Sequence, residues 1–193
     1  MAADLYEAVP PQISQGDILR RVPHAYLPHP LTKLRSLGEN KYEAEPEPFS
    51  EFNEKQGELV AANCKRRIAL LLTPDCEIDK DNRRWLVCPI KPLADLSGKF
   101  QDSIKRNRVV SALFLPGHLE LFPDGYADFN QITTLEPAVV RQAERVVSLS
   151  DIGRIALYKQ YVRWFTRWTL QDITCPNCFT SFDPTITLKV RNP

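Results

Sequence analysis

The sequence predicts a mainly β fold with one long C-terminal helix, in the α+β class. Three observations predict it. The continuous apolar run Ile68-Ala69-Leu70-Leu71-Leu72 has the length of a buried strand. Short apolar segments follow it at close spacing, divided by Pro, Gly and Asp turn signals, which suits a small barrel better than a parallel sheet with crossover helices. A wide apolar stripe at helical spacing then begins at Asp151.

The elements follow in chain order. Gln15-Gly16-Asp17-Ile18-Leu19 reads as a turn feeding a first strand, with Gly16 giving the backbone its freedom. Seven of the 16 prolines lie before residue 49. Proline removes a ladder donor and disfavours helix in the residue before it. Residues 23 to 57 are therefore expected to be irregular, extended and solvated, within a Pro/Glu-rich insertion at about 23–63. Glu43, Glu45, Glu47, Glu51 and Glu54 repel one another and hold such a loop open. The sharper alternative is an acidic mimic of nucleic acid lying over Lys65, Arg66 and Arg67.

Ile68 to Thr73 is the strand buried on both faces or closed into a barrel, and Pro74 ends it. Asp79 to Arg84 is a polar turn, and Trp85 to Ile90 completes a hairpin. Val109 to Leu115 is a further strand, followed by the turns Pro116-Gly117 and Pro123-Asp124-Gly125. Tyr126 to Leu135 reads as a strand with a break. Ser150 is a good N-cap, with Asp151 in the first turn of a helix reaching about Leu170. Ile155, Tyr158, Val162 and Phe165 form one apolar stripe of that helix. Leu157, Tyr161, Trp164 and Trp168 form a second, and Lys159, Arg163 and Arg167 form a basic ridge. Two stripes allow one to face the barrel and the other a partner subunit.

Composition limits the class. The 193 residues carry a formal net charge of +1, with 43% hydrophobic and 25% charged residues. This balance argues against a whole-protein nucleic-acid magnet, though not against a local basic patch. Mean hydropathy is −0.32, and no apolar run approaches the roughly 18 residues of a membrane span. Met1 to Leu5 lacks the basic-then-apolar pattern of a secretory signal. With no such signal, a cytoplasmic protein is expected whose 5 cysteines are reduced thiols or part of a metal site, and the odd count weakens full pairing further. Cys88, inside an apolar strand, reads as a small buried hydrophobe.

Two segments carry candidate chemistry of their own. In Asp75-Cys76-Glu77-Ile78-Asp79 the carboxylates alternate, so an extended chain would place Asp75, Glu77 and Asp79 on one face. Such a face suits Mg²⁺ or Mn²⁺ and a metal-dependent hydrolase. Cys175-Pro176-Asn177-Cys178 is half of a zinc knuckle, in the 171–193 tail. A structural zinc there needs two more ligands, from Cys64, Cys76 or a second copy. Otherwise no cofactor is expected.

The order of the pieces resembles a family. Gly16-Asp17-Ile18, the basic entry to a buried strand in Arg67-Ile68-Ala69-Leu70-Leu71-Leu72, and Leu86-Val87-Cys88-Pro89-Ile90 are similar to the opening of PemK/MazF-type toxins. Ala127 to Leu135, then Arg141, Arg145, Leu149-Ser150-Asp151 and the terminal helix, resemble that family's last strand and helix. The resemblance covers about residues 14–21 and 65–170. It implies an SH3-like barrel over 1–170, a homodimer through the C-terminal helix, and metal-independent cleavage of single-stranded RNA. An antitoxin-like protein in a toxin-antitoxin or defence system would restrain it.

Carried onto this chain, the family's catalytic arginine falls on Arg67, with Arg66 and Lys65 beside it as RNA-binding residues and Gln131 as another. The position of its second catalytic residue, a hydroxyl, is Lys91 here, which is a departure. Cleavage by the ribose 2′-hydroxyl needs a base, an acid and a cation on the phosphate. Arg67 suits the cation, Lys91 a second phosphate ligand or acid, and Asp75 (or Glu77) the base. The loss of the hydroxyl and the long insertion leave a second reading: a catalytically silent barrel that binds nucleic acid or a protein.

Overall fold

A computed structural model describes residues 5–26, 32–39, 41–48, 59–80, 84–118 and 121–167. In chain order the strands begin with β1 (Tyr6–Glu7), β2 (Asp17–Tyr26), β3 (Thr32–Gly38), β4 (Lys41–Pro48), β5 (Leu59–Ala61) and β6 (Asn63–Leu71). Helix α1 (Asp75–Ile78), β7 (Trp85–Pro92), α2 (Gly98–Lys105), β8 (Ala112–Leu115), β9 (Gly125–Asp128) and β10 (Thr133–Leu135) follow. The described chain ends with α3 (Pro137–Arg141), β11 (Glu144–Leu149) and α4 (Asp151–Thr166). Mainly β with a C-terminal helix is thus the observed class. The residues fall into two compact units, one made of the chain up to Val22 and from Ile68 onward, the other of Pro23–Arg67.

The larger unit is an antiparallel sheet in the order β1-β11-β2-β6-β7-β9-β8, with β10 also on β7. The expected hairpin is present: β6 pairs with β7 from Ile68↔Ile90 to Leu71↔Val87. The expected broken strand is present too. β9 pairs with one end of β7 at Ile90–Pro92 and β10 with the other at Trp85–Val87, separated by a 3-10 turn over Phe129–Gln131. Stretches around Ile68 and Ile132 therefore flank the same strand.

Successive side chains of a strand point to opposite faces, so a strand buried on both faces feeds two cores. Leu70, Leu72, Cys88 and Ile90 join one core with Leu113, Phe129 and Leu157. Ala69, Leu71, Trp85 and Val87 join another with Ile78 and Val140. This is why Ile68 to Leu72 shows no polar alternation. Helix α4 covers the first core with Leu157, and Tyr161 and Trp164 pack on Phe129 at centroid distances of 5.8 and 5.9 Å. Ile152, Tyr158 and Phe165 are left exposed.

Ser150 caps α4 as expected, its hydroxyl accepting from the Gly153 amide at 3.3 Å. The helix stops before the expected Leu170 because Arg167 turns left-handed, with φ 62°. Trp168 of the second stripe lies outside the described residues. Gly16 has φ +94°, and a Cβ there would sit 3.1 Å from the Leu149 Cβ, so both conformation and space require glycine.

The smaller unit corrects one expectation. Besides the ends of β2 and β6, its described part is an antiparallel three-stranded sheet, β4-β3-β5, and not an irregular loop. Pro46 and Pro48 are tolerated because β4 is an edge strand and needs no outward ladder donor. Glu43 lies opposite Arg35 and pairs with it at 2.7 Å, so cross-strand pairing partly offsets the acidic repulsion.

Candidate functional site

The sequence candidates fall in three places. Lys65, Arg66 and Arg67 lie in the part of β6 that belongs to the smaller unit. Lys65 and Arg66 are exposed and Arg67 is half-buried. Among the described residues none of the three has an ion-pair partner. Alternation along the strand sends Arg66 to one side and its two neighbours to the other.

Lys91 stands where β7 leaves the core, opposite Tyr126 on β9. Its Nζ donates to Asp128 Oδ2 at 2.7 Å, and both side chains are largely covered, 25% and 13% exposed. The other Asp128 oxygen accepts from the Asn130 amide at 3.1 Å, which starts the turn toward Gln131, an exposed residue. Asp128 is thus the side-chain cap of that turn and the counter-ion of Lys91. Burial, and then the Asp128 charge, push the Cys88 thiol well up, with Lys91 opposing. Burial likewise raises the Tyr126 hydroxyl, helped by Asp128 and Asp95.

Asp75 sits elsewhere in the larger unit. The segment Asp75–Ile78 is a helical turn, and this corrects the extended reading. Residues two apart on a helix point in nearly opposite directions, so Asp75, Glu77 and Asp79 do not share one face. Asp75 Oδ1 accepts from the Gln15 amide at 2.6 Å, and Oδ2 lies 3.5 Å from Arg154. Glu77 pairs with Lys80 at 2.8 Å. Among the described residues no group of three His, Cys, Asp or Glu side chains could hold a metal ion. Cys175 and Cys178 lie outside the described residues.

Around Asp75 a network forms that sequence reasoning missed. Gln15 is buried, donates to the Leu72 carbonyl at 2.7 Å and accepts from the Tyr158 hydroxyl. Arg154 donates to the Leu149 carbonyl at 3.1 Å and to Ser14 Oγ at 3.1 Å. Burial, then the Asp75 charge, raise the Tyr158 hydroxyl. A hollow of about 490 Å³ opens beside it, between the Pro10–Ser14 loop, Asp75, Asp79 and Arg154. Arginine and carboxylate there are already partnered, which makes this a clamp that ties the N-terminal segment to α1 and α4.

The candidates are therefore not one constellation: Asp75 is held by Gln15 and Arg154, Lys91 by Asp128. The pairing of Lys91 had a readable signal, because Asp128-Phe129-Asn130 is an Asx-turn pattern that fixes a carboxylate at a strand end. Gln15 and Arg154 gave none, being 139 residues apart in sequence. Neither a protein-family model nor a curated protein matches this chain.

Proposed function

We propose that this protein acts on single-stranded RNA as a divergent PemK/MazF-like barrel, and that Lys65, Arg66 and Arg67 contact the RNA backbone. The observation that carries the reading is the run of three consecutive cations without ion-pair partners among the described residues, at the entry of a strand buried on both faces. Unpaired arginine and lysine are what a phosphate backbone recruits.

Barrel closure belongs to the same proposal. It is supported by Tyr6 of β1, whose hydroxyl donates to the Pro116 carbonyl just after β8 at 2.6 Å and whose ring stacks on His118 at 5.0 Å. Those two strands are the ends of the sheet path. A homodimer through α4 is supported by the outward-facing Ile152, Tyr158 and Phe165. An antitoxin-like partner would compete for the same cations.

A specific observation favours the silent form of this reading, in which the barrel binds RNA without cutting it. Lys91, at the position that the resemblance gives to the family's hydroxyl residue, is neutralised by Asp128, and Asp75 is engaged by the Gln15 amide and the Arg154 guanidinium, away from Lys91. A general base must reach the proton it removes.

The test incubates labelled single-stranded RNA with the protein in EDTA, alongside Arg67→Ala. Binding that weakens in the variant, with intact RNA, is the expected result. Cutting in EDTA that Arg67→Ala abolishes would restore the nuclease form. Binding unchanged by Lys65→Ala/Arg66→Ala/Arg67→Ala would remove the assignment of the contact.

A further inference from the structure

A second basic surface lies on the larger unit, built by α2 and the turn that follows it. Lys99, Asp102, Ser103 and Arg106 occupy positions i, i+3, i+4 and i+7 of one helix face, so they stand in a row. With Arg108 they line a hollow of about 230 Å³. Three cations and one carboxylate give this hollow a formal charge of +2. Lys105 is used elsewhere, 3.7 Å from Asp124. Lys99, Arg106 and Arg108 have no ion-pair partner among the described residues.

The helix dipole does not explain the set. It favours Arg106 and Arg108 near the C-terminus of α2 but opposes Lys99 in the first turn. The frame that holds the cations is rigid. The Asn107 amide bonds to the Ile104 carbonyl at 2.8 Å and the Arg108 amide to the Ser103 carbonyl at 2.9 Å. With Asn107 left-handed at φ 52°, this is a Schellman ending. Ile104 is fully buried beneath it. From α4, Arg163 donates to the Asn107 carbonyl at 2.8 Å, and Gln160 donates to the carbonyls of Val109, Val110 and Ala112. The turn is held from both sides while its arginines point outward.

Beside this row Phe100 is 44% exposed, one residue from Lys99 and three from Ser103. An exposed aromatic next to unpaired cations on a rigid frame is the composition of a single-strand platform, where a base stacks and the backbone meets the charges. We infer that the α2 hollow is a second contact for single-stranded RNA, with Lys99, Arg106 and Arg108 on phosphates and Phe100 under a base. The inference rests on the RNA reading above, but uses none of the residues of β6.

Anisotropy with a fluorescein-labelled, 2′-O-methylated single-stranded RNA, which cannot be cut, tests it across a KCl series. Lys99→Ala/Arg106→Ala/Arg108→Ala should lower the slope of log K against log[salt] by about 2, from roughly 0.7 per lost single-strand phosphate contact. Phe100→Ala should weaken binding about fivefold or more at unchanged slope, since stacking carries no counter-ion. Lys99, Phe100, Arg106 and Arg108 are exposed, and circular dichroism checks the fold of every variant. If the triple variant keeps the wild-type slope while the β6 triple variant loses it, the inference is overturned and the RNA reading stands. If the α2 variant alone lowers the slope, the inference stands and the β6 assignment falls. No binding by the wild type overturns both.

Discussion

Gly153 sets helix propensity against packing, and the structure decides which wins. It lies in the first turn of α4. Replacing glycine by alanine within a helix stabilises by about 1 kcal/mol on propensity alone. A Cβ at Gly153, however, would lie 2.5 Å from the Leu5 carbonyl oxygen and 3.0 Å from the Leu149 Cβ. The first neighbour is backbone, which cannot rotate away. That same oxygen accepts from the Ser150 amide at 3.0 Å, so moving it also breaks a hydrogen bond. Overpacking costs about 1–3 kcal/mol and the lost bond about 1 kcal/mol. The net expectation for Gly153→Ala is a destabilisation of about 1–3 kcal/mol. Gly98 is the internal control: it opens α2, and a Cβ there meets nothing within 4 Å. Gly98→Ala should be neutral or slightly stabilising. Urea denaturation followed by tryptophan fluorescence measures both, since Trp85 and Trp164 belong to the cores of this unit. A Gly153→Ala midpoint at or above wild type would refute the reasoning that Leu5, at the entry of β1, is seated directly on α4.

Four further outcomes are expected. Asp17→Ala should cost about 3 kcal/mol in denaturant midpoint analysis, because Asp17 is fully buried and accepts from Arg145 Nε at 2.8 Å and from the Ser14 amide at 3.0 Å, and its loss leaves the Arg145 charge without a counter-ion, held only by the carbonyls of Pro10, Pro11 and Gln12. In a double-mutant cycle Lys91→Ala and Asp128→Ala should couple by roughly 1 kcal/mol or more, since both groups of that pair are largely covered; additive effects would show the pair is idle. Native alkylation with peptide mapping should label Cys64 and Cys76, which are exposed, and spare Cys88 until the protein unfolds. At alkaline pH the protein should lose stability. Burial, then the Asp124 charge, raise the Tyr6 hydroxyl, and burial raises Tyr126 and Tyr158. The unfolded tyrosines therefore ionise first, so their contribution is complete below about pH 10 and is lost as pH rises through the folded values. Tyr6→Phe should flatten the part of that decline that Tyr6 causes, read from denaturation midpoints between about pH 9 and 12.

Much of the larger unit was legible because its strands obey period rules. The unbroken apolar run at Ile68, the break between Phe129 and Ile132, and the cap at Ser150 each encode a local decision in local residues. Helix α2 was not legible, since Gly98 to Lys105 buries only Ile104 and shows no apolar stripe. The three-stranded unit was hidden by Pro46 and Pro48, which read as loop unless the strand is known to be an edge, and that is a tertiary fact. The turn at Asp75 reads as an extended run because two-residue alternation of acids looks alike in a strand and in a solvated helical turn. At the site, the cations are visible in sequence, but their availability is not. Lys91 and Lys65 look equivalent in the chain, and only the fold gives one of them an aspartate.

That difference bears on where chemistry can occur at all. In the middle of β6 and β7 both faces are sealed, one core taking Leu70 and Cys88 and the other Leu71 and Val87, so no substrate reaches these strands between their ends. Groups that meet solvent lie where the strands run out: the basic start of β6, Lys91 at the end of β7, and the turn after α2. At the end of β7 the charge is already neutralised, and a phosphate would have to displace Asp128 from a largely desolvated pair before it could bind. At the α2 turn and on β6, a phosphate displaces only water and mobile ions, and counter-ion release then drives association. On the proposed RNA reading, affinity for the polyanion would belong to the unpaired cations, while Lys91 with Asp128 serves the fold that carries them. The two roles separate in salt: binding lost at β6 or α2 should show a shallower salt dependence, whereas Lys91→Ala should lower stability and leave the slope in place.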